Sequence, residues 1–506
     1  MSTADGAGWQ RTSPFAAVFY IGKIYQAIAK NAVQSLAPLA AFLVAFKGDP
    51  TQKVIIGVGV FAIGTIVLAF LRYWFFHYRI TGNSVLIRAG VFKKTQLDIK
   101  FERIQAVNTQ QNVVFRLLGL LTVSFDTAGA AGQEGYLPAV REDIARELRD
   151  RIRCMPRARV DEQAVTEEGA PYAQARTLLQ LTSGDMVRIG LSSNRVFLLL
   201  VLLGPLSEMM EQRFDEIVEE SAVIEYFSSV QTGLLSGLAF GLVLVTGILV
   251  LLFSISIAGA FLRFHRFELV ADDDVFRSTG GLLTRHEHSV NRSKLQSLQA
   301  SQHVALRIFR RFRLKARQAS SGRAGKSSDF VVPICTGREL AELGHAFYQQ
   351  EFSGLTLDPL SCSFEGVSRH YVWSRVRMAG IAPAVVATAA LWPSVGAGAL
   401  IVLLWIPACA FVVWQKYRRF GLMHGKDGLA FRSGLVGYRV VAWLHRKVQR
   451  VDITQSAFQR RKDVANLRIF LAAGGGIRIP YLEYAKARAL RDYVLYRVES
   501  SREAWH

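Results

Sequence analysis

The chain has 506 residues, of which 51% are hydrophobic, and a formal net charge of +21. This length accommodates about three domains of ordinary size, and the positive excess suits a partner that carries phosphate, either an anionic lipid surface or a nucleic acid. The cysteines are scattered and form no CxxC pair, which argues against a disulfide framework and indicates reduced thiols. They are Cys154, Cys335, Cys362 and Cys409.

Three long apolar stretches predict membrane-spanning helices. They are residues 54–76, 241–262 and 396–414. Each is close to the roughly 20 apolar residues that cross a bilayer core as a helix, and none has the polar stripe of a soluble core helix. A shorter apolar segment precedes each of them, at 33–46, 196–210 and 378–392. Pairing into three hairpins is the favoured interpretation; the alternative places the shorter segments at the membrane surface.

The flanking charges predict the orientation of these hairpins. The turn at 208–227 is acidic, whereas the segments after each long span, at 72–79, 263–268 and 414–421, are basic. Because Lys and Arg collect on the cytoplasmic side, we expect a multi-pass protein of the bacterial inner membrane. Both termini and all soluble domains would face the cytoplasm. The turn at 47–53, with two lysines, departs from this pattern, and no cleavable signal is recognised.

A block of about 70 residues recurs after each basic exit. Its anchors keep spacings of 15, 6 and 5 residues without a gap in all copies. They are Gly90, Gln105, Gln111 and Arg116 in the first copy, Gly281, Gln296, Gln302 and Arg307 in the second, and Gly434, Gln449, Gln455 and Arg460 in the third. Because these residues recur in every copy, a structural role at a turn is the simpler interpretation, with ligand binding as the alternative.

Each block predicts strands followed by one helix. Alternating apolar residues, with Gly, Asn or Asp at the turns, open the block as a hairpin. The block closes on a proline after an apolar strand, at Pro138, Pro333 or Pro480, and an amphipathic helix follows. The fold class is therefore membrane α-helical hairpins plus α+β soluble domains, each a small β-barrel or sandwich capped by its C-terminal helix.

The predicted order of parts alternates hairpins and domains. The first hairpin and N-terminal segment occupy residues 1–76, followed by domain 1 at 77–155 and a linker with a juxtamembrane helix at 156–195. The second hairpin at 196–263 precedes domain 2 at 264–352 and a linker at 353–377. The third hairpin at 378–415 precedes domain 3 at 416–506.

Several of these segments resemble the bacterial pleckstrin-homology (PH)-like membrane proteins of the second type, the YdbT-like family. The resemblance rests on Ile104-Gln105, Arg116 to Gly119, the strand at 120–130, and the stretch from Leu181 to Arg195. The second and third copies carry Arg310 and Asp463 at the position of Gly119. The resemblance implies three PH-like split β-barrels, each with seven strands and a helix. It also implies a smaller membrane partner with one such domain and, in some members, protection against membrane-active bacteriocins.

The sequence contains no catalytic constellation that supports an enzyme. The stretch Ser320 to Ser327 approaches a phosphate-binding loop, but it joins two strands rather than a strand and a helix. His286 and His288 share one face of a strand, yet no third ligand stands at metal spacing. We therefore expect no cofactor and no metal.

Two basic clusters are the candidate contacts for lipid or a partner. Domains tethered at a bilayer lie within a Debye length of anionic headgroups, where each cation contributes about 1 kcal/mol. The alternative is a solvated basic face that follows from positive-inside bias alone. Nucleic acid is disfavoured because no aromatic stacking residues are interleaved. The candidate residues are Arg307, Arg310, Arg311, Arg313, Arg446, Lys447, Arg450, Arg460 and Arg461.

The function predicted from these features is a non-enzymatic, membrane-anchored scaffold whose PH-like domains bind partner proteins, anionic lipid or both. A homo-oligomer is left open. The alternative is a transporter or export component with a path through six spans. Such a path needs charged or broken helices at mid-membrane, and Pro407 is the one such feature in the three long stretches.

Overall fold

A computed structural model describes residues 8–30, 50–91, 94–127, 135–154, 176–193, 234–318, 329–361, 364–472, 474 and 476–500. Three sequence predictions fall outside these residues. They are the short apolar segments at 33–46 and 196–210 and the whole phosphate-loop-like stretch at 320–327.

The first module contains helices α1 (Ala16–Lys30) and α2 (Pro50–Trp74), strands β1 (His77–Ile80), β2 (Ser84–Ala89), β3 (Thr95–Lys100) and β4 (Ile104–Asn112), helix α3 (Val113–Leu117), strands β5 (Leu120–Thr127) and β6 (Gly135–Arg141), and helix α4 (Glu142–Cys154).

The second module contains β7 (Arg176–Gln180), α5 (Ser183–Leu191), α6 (Leu234–Phe264), β8 (Glu268–Asp272), β9 (Val275–Gly280), β10 (Thr284–Asn291), β11 (Leu295–Gln302), α7 (Val304–Ile308), β12 (Phe312–Gln318), β13 (Phe330–Cys335) and α8 (Gly337–Tyr348).

The third module contains α9 (His370–Arg375), α10 (Ala382–Val395), α11 (Trp405–Arg419), β14 (Gly421–His424), β15 (Gly428–Ser433), β16 (Tyr438–Leu444), β17 (Val448–Thr454), α12 (Ala457–Arg460), β18 (Val464–Leu471), β19 (Gly476–Glu483) and α13 (Tyr484–Ser500). A π-helix at Val376–Ile381 joins α9 to α10, and a 3-10 helix at Gly396–Leu404 joins α10 to α11.

Each module packs two three-stranded antiparallel halves around one core and closes it with its last helix. In the first module, Ile87 and Ile99 from one half meet Val123 and Phe125 from the other, and Leu148 of α4 covers them. All five side chains are buried. Alternating apolar residues along each strand supply such a two-sided interior. The helix-capped, strand-rich modules expected from the sequence are therefore present.

A segment that precedes the apolar helices of each module pairs with the first strand that follows those helices. Gln10 pairs with Tyr78, and Glu365 pairs with Leu422, as isolated bridges. In the second module this element is a full strand, β7, which pairs with β8. The residues from 176 to 180 and Glu365 were expected in linkers; they are instead the first paired segments of the modules that follow. The apolar helices are thus inserted between two neighbouring strands of one sheet.

Repeated turns explain most of the repeated anchors. Gly90, Gly281 and Gly434 have φ of 122°, 115° and 151°, a region that side chains rarely adopt. A Cβ on Gly281 would lie 2.0 Å from the carbonyl oxygen of Thr284. This position therefore requires glycine.

The second glutamine of each copy closes a turn by bonding to the backbone. The Nε2 of Gln111 donates to the Leu120 carbonyl at 2.9 Å. The Nε2 of Gln302 donates to the Arg311 carbonyl at 3.2 Å, and that of Gln455 donates to the Val464 carbonyl at 3.1 Å. Each bond spans the short helix between two strands, so these glutamines hold the fold.

The turn after the short helix keeps one geometry despite its changed sequence. Gly119, Arg310 and Asp463 have φ of 63°, 51° and 48°. All lie in the left-handed region that favours glycine. Arg310 and Asp463 adopt it because the surrounding strand pairings are the same in each copy.

Neighbouring modules share continuous sheets. Strand β10 of the second module pairs with β4 of the first, which gives a seven-stranded sheet in the order β6-β5-β4-β10-β9-β8-β7. Strand β16 of the third module pairs with β11 of the second, in the order β13-β12-β11-β16-β15-β14. Strand pairing is antiparallel at both junctions. The three modules therefore form one head-to-tail row.

Two helical segments among the described residues are long and apolar enough to cross a membrane, Val245–Phe264 and His370–Arg419. Only 11% of each apolar window is buried by protein, so their side chains need another apolar environment. The second segment folds back on itself. Gly396 has φ of 57° at the bend, and the Trp405 indole donates to the Ala379 carbonyl at 2.9 Å. Each arm is about 38 Å long, which exceeds the roughly 30 Å hydrocarbon core.

Candidate membrane-contact surface

The second hairpin turn of a module lies against the end of its apolar helix. The backbone N–H of Leu282 donates to the Leu262 carbonyl, and that of Gly281 donates to the His265 carbonyl, both at 2.9 Å. In the third module, Arg419 Nη1 at the end of α11 donates to the Gly437 carbonyl at 2.8 Å. The turns between β9 and β10 and between β15 and β16 therefore stand where the apolar helices end.

The short helix of the preceding module reaches the same place. Arg116 of α3 donates from Nη2 to the Leu282 carbonyl at 3.2 Å. Arg307 of α7 places its guanidinium 5.6 Å from the ring centroid of Tyr438, and Arg419 lies 4.8 Å from that ring. The repeated arginine thus connects one module's short helix to the next module's turn, beside the end of an apolar helix.

Apolar side chains protrude from these short helices and turns. Leu117 is 84% exposed, Ile308 is 74% exposed, and Phe458 of α12 is 69% exposed. Burying such side chains is worth about 1.5–3 kcal/mol each, so a cluster of them beside the end of an apolar helix is a candidate for contact with a bilayer interface. We call this set the membrane-contact surface. Its apolar members are Leu117, Leu118, Leu282, Leu283, Ile308, Leu435, Val436 and Phe458.

Exposed cations border the membrane-contact surface. Arg116 and Arg307 contact the neighbouring turns yet remain solvent-exposed, as does Arg310. In the third module, Arg460 and Arg461 are exposed beside Phe458. An apolar tip ringed by cations matches the layered chemistry of a bilayer, where anionic headgroups surround the hydrocarbon.

A basic cleft of about 870 Å³ opens at the end of α6, against the face of β10 and β12. Arg263, Arg313 and Lys315 line it, together with Asp329, which lies 3.9 Å from the Lys315 ammonium. His286 and His288 also line the cleft, with ring centroids 6.2 Å apart. Three cations against one carboxylate suit a phosphate group.

The two cleft histidines carry no charge at neutral pH. The cleft walls withdraw water and so lower the pKa of both imidazoles, and Arg263 adds a repulsive positive charge. His288 remains exposed at the cleft mouth, but its surroundings still favour the neutral form. Arginine and lysine therefore provide the positive charge of the cleft.

A smaller cleft of about 340 Å³ lies between α9 and α12 in the third module. Trp373, which is 71% exposed, and Phe458 line it together with Arg377 and Lys462. Exposed aromatic rings beside cations are typical of the membrane–water boundary. The two clefts thus share a basic lining at the ends of apolar helices.

Comparison with known proteins decides the family. The family model described as Bacterial PH domain matches residues 28–155, 223–343 and 378–498, which is most of the chain. The chain belongs to the bacterial PH domain family. The three matches correspond to the three modules and include part of the apolar region of each.

Two relatives of this PH domain chain come from Bacillus subtilis (strain 168). The chain is 21% identical over 261 residues to UPF0699 transmembrane protein YdbT, which covers 50% of the chain and 52% of that relative. It is 28% identical over 107 residues to UPF0699 transmembrane protein YdbS, and this matched region covers 20% of the chain and 65% of that relative. The chain thus spans about half of the first relative and under two thirds of the second.

The bacterial PH fold divides the cations of the two predicted basic clusters among different surroundings. Arg307, Arg310, Arg460 and Arg461 border the membrane-contact surface, and Arg313 lies in the basic cleft. The other four have protein partners. Arg311 lies 3.6 Å from Asp185, Arg450 pairs with Asp452, Arg446 pairs with Glu351, and the buried Lys447 donates to the Ser293 carbonyl at 2.7 Å.

The first glutamine of each copy marks a β-bulge. The strand register shifts at Leu295/Ser297 and at Val448/Arg450, which leaves Gln296 and Gln449 as the extra residues. The register shifts in the same way at Ile104/Ala106 around Gln105. A bulge adds twist and is a position at which the residue leaves the regular alternation. This explains the spacing without a ligand.

Exposed apolar tips could not be recognised as a site from the sequence. Leu117 and Ile308 follow the repeated arginine directly, and a leucine or isoleucine next to a strand is ordinarily part of a core. The sequence feature that could have identified them is that both apolar residues directly follow the repeated arginine. The structure adds that they point away from the core.

Proposed function

We propose that this chain is a non-enzymatic membrane scaffold that holds a row of three PH-like modules against the anionic lipid of the bacterial inner membrane. The observation that carries the proposal is the membrane-contact surface, where highly exposed apolar tips and arginines recur beside the ends of apolar helices. The names of the relatives, both transmembrane proteins, support a membrane location.

The sheet topology supports the proposal of three hairpins with all modules on one side of the membrane. Both ends of each apolar region meet in one sheet, through the pairs Gln10–Tyr78, Leu179–Leu269 and Glu365–Leu422. A segment that leaves and re-enters one small module must cross the bilayer an even number of times. Basic residues at the ends of the apolar helices favour the cytoplasm as that side.

The electrostatic contribution of lipid contact is substantial. Each cation held near an anionic leaflet adds about 1 kcal/mol, so the exposed arginines beside the three short helices contribute several kcal/mol together. Part of this attraction would be lost at high salt. Because the hairpins already anchor the chain, this energy sets the height and tilt of the modules rather than membrane residence.

Partner binding and resistance to bacteriocins belong to the same proposal. A rigid row of modules at the inner leaflet offers repeated surfaces to a smaller membrane protein with one such module, as the resemblance implies. The third hairpin contains one feature of the alternative, a transport path, because a π-helix at Val376–Ile381 and a 3-10 helix at Gly396–Leu404 interrupt its α-helix. Pro407 follows that 3-10 helix, in the first turn of α11. Between Met378 and Trp414, however, the sequence has no charged residue, and a transport path normally needs one at mid-membrane.

Depth-dependent fluorescence quenching tests the proposal on the full chain in nanodiscs. An environment-sensitive label at Leu117→Cys or Ile308→Cys is read against lipids brominated near the headgroup, with Arg146→Cys on α4 as the exposed control. We expect quenching at 117 and 308, stronger in discs with phosphatidylglycerol than in purely zwitterionic discs, and none at 146. Equal, water-like signals at all three positions would overturn lipid contact.

A further inference from the structure

The two junctions between modules have one and the same register. Gln111 lies opposite Arg285 in the first junction, and Gln302 lies opposite Tyr438 in the second. In the repeat, Arg285 and Tyr438 each stand four residues after their anchor glycine, Gly281 or Gly434. The same pairing rule has therefore been used twice in one chain.

Each junction also has side-chain contacts beyond the backbone ladder. In the first, Glu287 accepts from the Thr109 hydroxyl at 2.9 Å and from Arg149 of the capping helix at 3.1 Å. Ser289 donates from its backbone N–H to the Asn108 side chain at 3.1 Å. Backbone pairing supplies affinity and such contacts supply register, so a junction of this kind is a specific interface.

The two ends of the row each present an edge strand equivalent to one of the strands that pair at the internal junctions. Strand β17 occupies the place of β4 and β11, but within the described chain it pairs with β18 alone. Strand β3 occupies the place of β10 and β16, but among the described residues it pairs with β2 alone. An edge strand with unpaired N–H and C=O groups is a template for another strand.

Equivalent residues are buried in β11, which pairs with a neighbouring module, and exposed in β17, which does not pair with one among the described residues. Gln296, on a β-bulge at the second junction, is 1% exposed, whereas Gln449 at the same repeat position on β17 is exposed. All but two residues of β11 are buried, whereas β17 has one buried residue. The two strands differ in burial because the third module covers β11, whereas no further module covers β17 in the part of the chain that the structure describes.

We infer that β17 of one chain pairs with β3 of a second copy, which continues the row from molecule to molecule. The shared register then places Gln455 opposite Lys94, Thr454 opposite Thr95, and Ile453 opposite Gln96. This inference goes beyond the proposed lipid contact, because it concerns the ends of the row and not its membrane-facing side.

The two edges are chemically compatible in that register. The next pairs are Asp452 with Leu97 and Val451 with Asp98, so no like charges stand opposite each other. Lys94 takes the place of Arg285, a cation that the first junction already accommodates opposite Gln111. Neither edge strand contains proline, which would remove a ladder donor.

The geometry of the row makes the second copy a fitting occupant. A contact between two different patches of identical molecules is heterologous and produces rings or open chains. Because both internal junctions repeat one step, another identical step keeps the next module, with its apolar helices, in line with the first three. The second copy then meets the bilayer on the same side.

Site-directed disulfide formation tests the pairing on full chains in native membranes. One tagged copy carries Thr95→Cys, and a second copy with a different tag carries Thr454→Cys. In both copies Cys154 and Cys362 are replaced by serine. Cys335 and Cys409 are buried and stay. Residues directly opposite in an antiparallel pair lie about 4.5–5.5 Å apart, within the range of a disulfide. We expect a mixed-tag dimer on mild oxidation, in at least tenfold excess over the control pair.

The control pair is Thr95→Cys with Ile453→Cys, because a shift by one residue turns the side chain to the other face of the sheet. Equal yields from both pairs would mean random collision and would overturn the inference, as would no dimer from the 95–454 pair. A disulfide from Thr454→Cys to a smaller protein, without a mixed-tag dimer, would assign the edge to another partner and likewise overturn it. The quenching experiment at Leu117 tests lipid contact separately, so failure of the pairing and failure of the proposed lipid contact can be distinguished.

Discussion

Arg446 and Glu351 form a bidentate ion pair across the second junction. The Arg446 Nε and Nη2 atoms lie 2.8 Å from the two carboxylate oxygens of Glu351. The side chains are 20% and 33% exposed, so water screens the pair only in part. Glu351 follows the capping helix of the second module, and Arg446 lies between β16 and β17 of the third. The pair therefore links two modules through side chains alone.

Replacement of Arg446 by Ala should loosen this junction. Fork-shaped hydrogen bonds between charged groups are strong and directional, and we expect a loss of about 1–2 kcal/mol in the stability of the junction. Hydrogen–deuterium exchange of β11 and β16 peptides in detergent measures it. Arg450→Ala is the control, because its pair with Asp452 is solvent-exposed. Unchanged protection in Arg446→Ala would show that the strand ladder and the remaining contacts, such as that of Lys447 with Ser293, hold the modules without this ion pair.

Gly437 is a second determinant of the same junction. A Cβ on Gly437 would lie 2.1 Å from the Gln302 carbonyl oxygen, so Gly437→Ala forces β16 away from β11. Overpacking of this kind costs about 1–3 kcal/mol. We expect faster exchange in β11 and β16 and easier proteolysis between the second and third modules. Gly82→Ala is the matched control, since a Cβ there meets nothing within 4 Å. Equal exchange in both variants would contradict the close approach.

Local features of the fold were predictable from the sequence, and the junctions were not. Gly281 and Gln302 act on residues within a few positions, and their fixed spacing therefore revealed the repeat. The pairing of Gln302 with Tyr438 joins strands from different modules, and no local pattern encodes such a partner. Lys447 illustrates the consequence. It was expected to contact lipid or a partner protein, but it donates to the Ser293 carbonyl of the preceding module.

His445 gives the third module a dependence on pH. Burial lowers the pKa of its imidazole to about 4, opposed in part by a hydrogen bond with the Gly425 carbonyl. The unfolded chain, with an ordinary histidine pKa of about 6.5, binds the proton first as pH falls. Stability is therefore complete above pH 6.5 and is lost between 6.5 and 4. The expected loss from pH 7 to pH 5 is about 2 kcal/mol.

Exchange protection of β14 and β16, corrected for intrinsic rate, reports this loss. In His445→Gln the titrating group is gone, so its protection should fall less between pH 7 and pH 5 than that of the natural chain. Parallel slopes in both proteins would show that other groups cause the acid sensitivity. The first module lacks a histidine at this position, where Phe101 stands, and serves as the internal reference.

Gly190 controls the approach of α5 to α6. A Cβ on Gly190 would lie 2.5 Å from the Ile257 backbone, and the Ser256 hydroxyl donates to the Gly190 carbonyl at 2.8 Å. Helix α5 directly follows β7, so this crossing fixes one end of the inserted apolar region to the other. Gly190→Val should separate the two helices, at a cost of about 1–3 kcal/mol, and expose α5 to exchange. Gly247→Ala within α6 meets nothing within 4 Å and should leave α5 protected. If α5 is equally protected from exchange in both variants, the two ends of the inserted apolar region are held together by the pairing of β7 with β8 rather than by the helix crossing.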